Sequence, residues 1–89
     1  MKLLVDQRTV ELHRTYAAKA TAKRPMHRLN DKAVTIVEGA VAKSAYKGGS
    51  DYLPGLVMYV VAVQDGKVLL AGPHGLAYAN VDVLVEVDA

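Results

Sequence analysis

"LVMYVVAVQDGKVLLAG", residues 56–72, decides how the rest of the chain is read. Its first nine residues are rich in Val and Tyr, which suit a pleated, half-buried surface. Asp65-Gly66 follows, a dipeptide that tolerates the positive φ of a two-residue hairpin turn. "KVLLAG" (67–72) is then the returning strand. The segment predicts a β-hairpin. Its first strand has an unusual feature, because both faces are apolar. Val57, Tyr59, Val61 and Val63 make one face, and Leu56, Met58, Val60 and Ala62 make the other. A strand in a lone small barrel needs only one apolar face. The second face therefore calls for a cover, either the amino-terminal arm or a second subunit.

Outward from the hairpin, the remaining signals are also β. "PHG" (73–75) predicts a second tight turn. After it, "LAYANVDVLVEV" alternates Val81, Val83, Val85 and Val87 with Asp82, Leu84, Glu86 and Asp88, the period of a half-buried strand with a turn near 80–83. On the other side, "AVTIV" (33–37) is a short β-branched run. Between it and the hairpin, "AYKGGSDYLPG" (45–55) carries two tyrosines among turn-forming residues. Five short strands joined by tight turns predict an all-β, five-stranded barrel over 30–89, since closure removes exposed edges.

Residues 1–29 read differently, as a basic extension. Over 1–32, eight basic residues face three acidic ones, a net +5; over 33–89, three basic residues face six acidic ones, a net −3. Arm and body therefore attract each other, within one molecule or between copies. "AAKATAK" and the spacing of Val5, Leu12 and Tyr16 favour a helix from about 6 to 22, although Val10, Leu12 and Tyr16 also fit a strand. Pro25 ends it, and "KRPMHRLND" is a linker.

Composition excludes several functions. At 89 residues the chain is one small domain. It has no cysteine, so disulfides, thiolate metal sites and cysteine nucleophiles are ruled out. No apolar run reaches the roughly 18 residues of a membrane helix. "MKLLVDQR" has too short an apolar stretch for a secretory signal, which makes the cytoplasm the expected location. His13, His27 and His74 lack ligand spacing, so neither a metal nor another cofactor is expected. Asp51, Asp65, Asp82, Glu86 and Asp88 read as solvated rather than as an acid–base pair. Ser44 and Ser50 have no activating motif, and "KGGSD" is not a phosphate loop. Nothing predicts an enzyme. Lys23, Arg24 and Arg28 could grip phosphates, which makes nucleic acid the alternative partner.

Taken in order, these pieces resemble a family. "NDKAVTI" (30–36), Tyr46-Lys47-Gly48-Gly49, Leu53-Pro54, Tyr59-x-Val61, "GKVLL" (66–70), Gly75, Tyr78 and "VDVLVEV" (81–87) are similar to the succession of motifs in bacterial SH3-like modules of phage lysins and cell-wall hydrolases. The family places a tryptophan where Tyr78 stands. The resemblance implies an SH3-like barrel and a non-catalytic binding module, encoded by a phage or mobile element. It implies a groove rimmed by Tyr46 and Tyr52, with Tyr78 nearby on the sheet, that takes a cell-wall polymer or a peptide. The bland alternative is that these tyrosines plug the barrel mouth. The other function classes are a nucleic-acid-associated regulator and a structural subunit of a homo-oligomer.

Overall fold

The computed structural model describes residues 6–20 and 23–87. One helix, α1 (Gln7–Ala20), precedes six strands: β1 (Ala33–Ile36), β2 (Lys43–Ser44), β3 (Met58–Gln64), β4 (Lys67–Gly72), β5 (Gly75–Asn80) and β6 (Leu84–Glu86). They form a single antiparallel sheet in the order β2-β5-β4-β3-β1-β6, with β2 and β6 at its edges. The sheet curls as a half-barrel around the main core, in which Val34, Met58, Val60, Val68, Leu70 and Tyr52 are almost wholly buried. The expected all-β body is present, but with six strands rather than five. The extra strand is β2, two residues long, which pairs with β5.

Both hairpin turns form as the dipeptides require. Gln64 pairs with Lys67, leaving Asp65 (φ 53°) and Gly66 (φ 76°) as a two-residue loop with positive φ at both positions. Gly72 pairs with Gly75 around Pro73-His74.

The doubly apolar strand has a structural cause. Between Val60 and Ala62 the β3–β4 register slips by one residue, so Val61 has no partner in the ladder. A bulge of this kind reverses which side chains point inward. Met58 and Val60 enter the main core before it, and Val63 enters after it. Val61 joins a second cluster on the outer face with Ala71 and Leu76. The simple alternation of 56–64 into two faces is thereby corrected.

The cover for that outer cluster is α1, which lies across β3 and β4. Asp6 caps it, its carboxylate accepting the Arg8 N–H at 2.7 Å. Leu12, Tyr16 and Ala20 recur at intervals of four and pack on Val61, Ala71 and Leu76. The N–H groups of Lys23 and Arg24 close the end onto the Ala20 carbonyl, just before Pro25. Val5, used in the sequence argument, lies outside the described residues.

The final segment also departs from simple alternation. A 3₁₀ turn at Val81–Val83 intervenes, after which Leu84 packs on the core and Val85 is exposed. Leu84 is paired with Ile36, a core residue, whereas Val85 is paired with Thr35.

Candidate functional site

The outer face of the sheet is only half covered. The tight turn at Pro73-His74 fixes the β4–β5 register, setting Leu69 opposite Tyr78 and Lys67 opposite Asn80. On the other side of β5, Lys43 is opposite Tyr78. Directly opposed residues share a face. Leu76, Tyr78 and Asn80 therefore lie in one row. Leu76 is under the helix, whereas the Tyr78 ring is 43% exposed.

Two open hollows adjoin that ring. One, of about 540 Å³, is lined by Ala62, Gln64, Asp65, Lys67, Leu69 and Tyr78. The other, of about 400 Å³, adds Lys43 and Asn80 to Lys67 and Tyr78. Ala62 and Leu69 supply an apolar floor, and the rim holds two amides, two ammonium groups and a carboxylate.

Tyr46 stands at the boundary between the covered and bare parts. Its hydroxyl lies 3.0 Å from that of Tyr16 on α1, and its ring is 48% exposed. The hydrogen bond to Tyr16 raises the Tyr46 phenol above its usual range, assisted by local desolvation and by the nearby Tyr16 and Tyr78 phenols. The ring rests against Gly75, where an added Cβ would come within 3.1 Å of it. The loop that carries Tyr46 is braced internally. Asp51 accepts the Ser44 N–H at 2.8 Å, Gly49 donates to the Tyr46 carbonyl at 3.0 Å, and Ala42 and Tyr52 exchange backbone hydrogen bonds.

Tyr52 corrects the three-tyrosine groove. It is 1% exposed and sits in the main core. Its hydroxyl accepts the His74 N–H at 2.6 Å and donates to the Gly75 carbonyl at 3.0 Å. The reason is steric as well as polar: Gly72 leaves the space the ring fills, and a Cβ there would lie 2.5 Å from Tyr52 Cζ. Burial pushes the phenol up, opposed by the hydrogen bond from His74. Such a ring plugs the half-barrel and offers no face to a ligand. Tyr46 and Tyr78 remain at the surface.

The basic arm is corrected in part. Arg24 donates to Asp31 and to the carbonyl of Val61, each at 3.0 Å. It holds down the strand bulge and is not a free cation. Arg28 pairs with Glu86 at 2.7 Å and holds that carboxyl below its usual range. Lys23 is exposed. His13 joins the same anchor, with Nε2 2.9 Å from Asp31 Oδ1 and its ring 5.1 Å from that of Tyr59. Burial would raise the Asp31 carboxyl, but Arg24 and His13 outweigh it and hold the group below its usual value. Arg24, Arg28 and His13 of the arm thus reach acceptors of the same chain.

Among the described residues no cluster of three or more His, Asp or Glu could hold a metal ion, and no described helix is long and apolar enough to cross a membrane. Asp88 lies outside the described residues. The sequence reading passed over Lys43, Gln64, Lys67 and Asn80. Counting back from the two-residue turn at 73–74 would have placed Lys67 opposite Asn80, and period two would have put Asn80 beside Tyr78. No protein-family model, no curated protein and no solved structure matches the chain.

Proposed function

We propose that the protein is a non-catalytic binding module that takes its ligand against the outer sheet face, over Tyr78 and Tyr46. The SH3-like likeness, with the phage or mobile-element origin it implies, makes a cell-wall polymer or a peptide the ligand class. What supports the reading is the Tyr78 ring, exposed on β5 beside two hollows. A tyrosine ring 43% exposed on a strand, with the apolar Ala62 and Leu69 beside it, offers a stacking face. The nucleic-acid alternative draws less on the arm than its charge suggests, because Arg24 is held by Asp31 and the Val61 carbonyl, leaving Lys23 and the exposed Arg28–Glu86 pair. The test is co-sedimentation with purified bacterial cell walls. Wild type is expected to sediment and Tyr78→Ala to remain in solution, while Tyr52→Phe, changed out of reach of a ligand, sediments like wild type. Equal sedimentation of wild type and Tyr78→Ala overturns the proposal.

A further inference from the structure

We infer that the bare end of the outer face is a carbohydrate site, which takes a linear glycan with one sugar ring laid against Tyr78. The inference rests on the module acting through Tyr78 and names the part of the ligand that this face recognises.

A sugar ring has an apolar C–H face and a rim of hydroxyls, each both donor and acceptor. The electron-rich face of a tyrosine suits the first. Leu69 and Ala62 continue the apolar floor. The hydroxyls need partners of every kind. Gln64 and Asn80 donate and accept, Lys43 and Lys67 only donate, and Asp65 only accepts. All surround one ring. Two hollows that share Tyr78 and Lys67 give a chain room beyond a single ring, so an oligomer fits better than a single sugar.

The same residues argue against other occupants. A polyanion wants unopposed cations. Here Asp65 lines the larger hollow, and Asp51 lies 3.8 Å from Lys43. A peptide added as a strand needs a free edge of some length, but β5 is paired at Tyr78 with both β2 and β4, and β2, at the edge, is only two residues long with its Ser44 N–H held by Asp51. A proline-rich peptide needs a groove made by several rings, and Tyr78 is the single ring in either hollow. An open, one-ring platform implies weak binding, with Kd about 1 mM for a tetrasaccharide, the range of a few contacts.

The experiment is an NMR titration of the full chain with the β-1,4-linked tetramers of N-acetylglucosamine and of glucose. The expected result is amide shifts confined to the neighbourhood of Lys67, Leu69, Tyr78 and Asn80, with the monosaccharide roughly tenfold weaker. A several-fold rise in salt is expected to leave the affinity within about twofold, because no counterions are released. Tyr78→Ala should weaken binding at least tenfold. Asn80→Ala, a surface change that leaves the ring in place, should weaken it about threefold by removing one hydrogen bond. Failure of both tetramers to bind, with Tyr78-dependent sedimentation on cell walls intact, overturns the glycan assignment and leaves the module standing. Failure on walls and glycans alike overturns both. Tight, steeply salt-dependent binding of a single-stranded oligonucleotide, lost in Lys43→Gln and Lys67→Gln, overturns it in favour of a polyanion.

Discussion

The two ends of the outer sheet face are built on the same strands and have opposite fates. Under α1 lie Val61, Ala71 and Leu76, small or aliphatic and nearly dry. A few residues along the same strands lie Tyr78, Lys67, Asn80 and Gln64, open to water apart from the partly covered floor. Size and polarity explain the boundary. Ala71 and Val61 let a helix approach closely, whereas Lys67 and Gln64 would bury unpaired charge or amide beneath it. The covered end is committed to stability and the bare end is free for contact. The tyrosines divide in the same way: Tyr52, backed by Gly72, is a plug, and Tyr78, on the outer face of the sheet, is 43% exposed.

Substitutions can break or sharpen that contrast. The largest effect is expected from Val61→Asp, which puts a carboxylate under the helix; a loss of about 4 kcal/mol or more, or outright unfolding, would appear in urea denaturation. Its counterpart at the bare end, Gln64→Asp, should stay within about 0.5 kcal/mol. Equal costs at the two positions would erase the distinction. Next, Tyr52→Ala should cost about 3–5 kcal/mol, the range for emptying a large aromatic site, while Tyr78→Ala should shift the urea midpoint little. Arg24→Ala should cost about 1–3 kcal/mol, because the Val61 carbonyl loses its side-chain donor; hydrogen exchange should quicken in α1 before the sheet.

The smallest effect concerns pH. Asp31, with a folded value below its ordinary 3.8, adds stability above that value and loses it as pH falls through the lower folded one. The stability gap between wild type and Asp31→Asn should therefore be constant near neutrality and shrink below about pH 3.8. A gap that widens below about pH 3.8 would show that Arg24 and His13 do not stabilise the ionised carboxylate.

Much of the β body was legible because local chemistry dictated it. Asp65-Gly66 and Pro73-His74 are turns in the sequence and turns in the fold, and Pro25 marks the end of the helical region. What escaped depends on distant partners. β2 is two polar residues that are a strand only because Ala77 and Tyr78 lie alongside. The inward turn of Tyr52 depends on the missing side chain of Gly72, twenty residues later. The bulge at Val61 leaves no local mark beyond a valine run. In the candidate site, Tyr46 could be picked out as an aromatic in a turn-rich loop and Tyr78 as the aromatic of a strand. Their polar neighbours emerge only once strand register is known.

The spare residue in β3 has a consequence for how this protein can be rebuilt. An extra amino acid in a strand leaves a main-chain oxygen without its usual neighbour, and here a guanidinium 37 positions upstream reaches it. Leader and sheet are therefore interlocked at one atom. Grafting the strands onto a foreign leader, or trimming the leader away, would strand that oxygen in a poorly hydrated spot. A minimal version of this domain has to keep Arg24, or else delete Val61, which leaves Val60 opposite Leu70 and Val63 opposite Val68 but takes a valine out of the cluster under the helix.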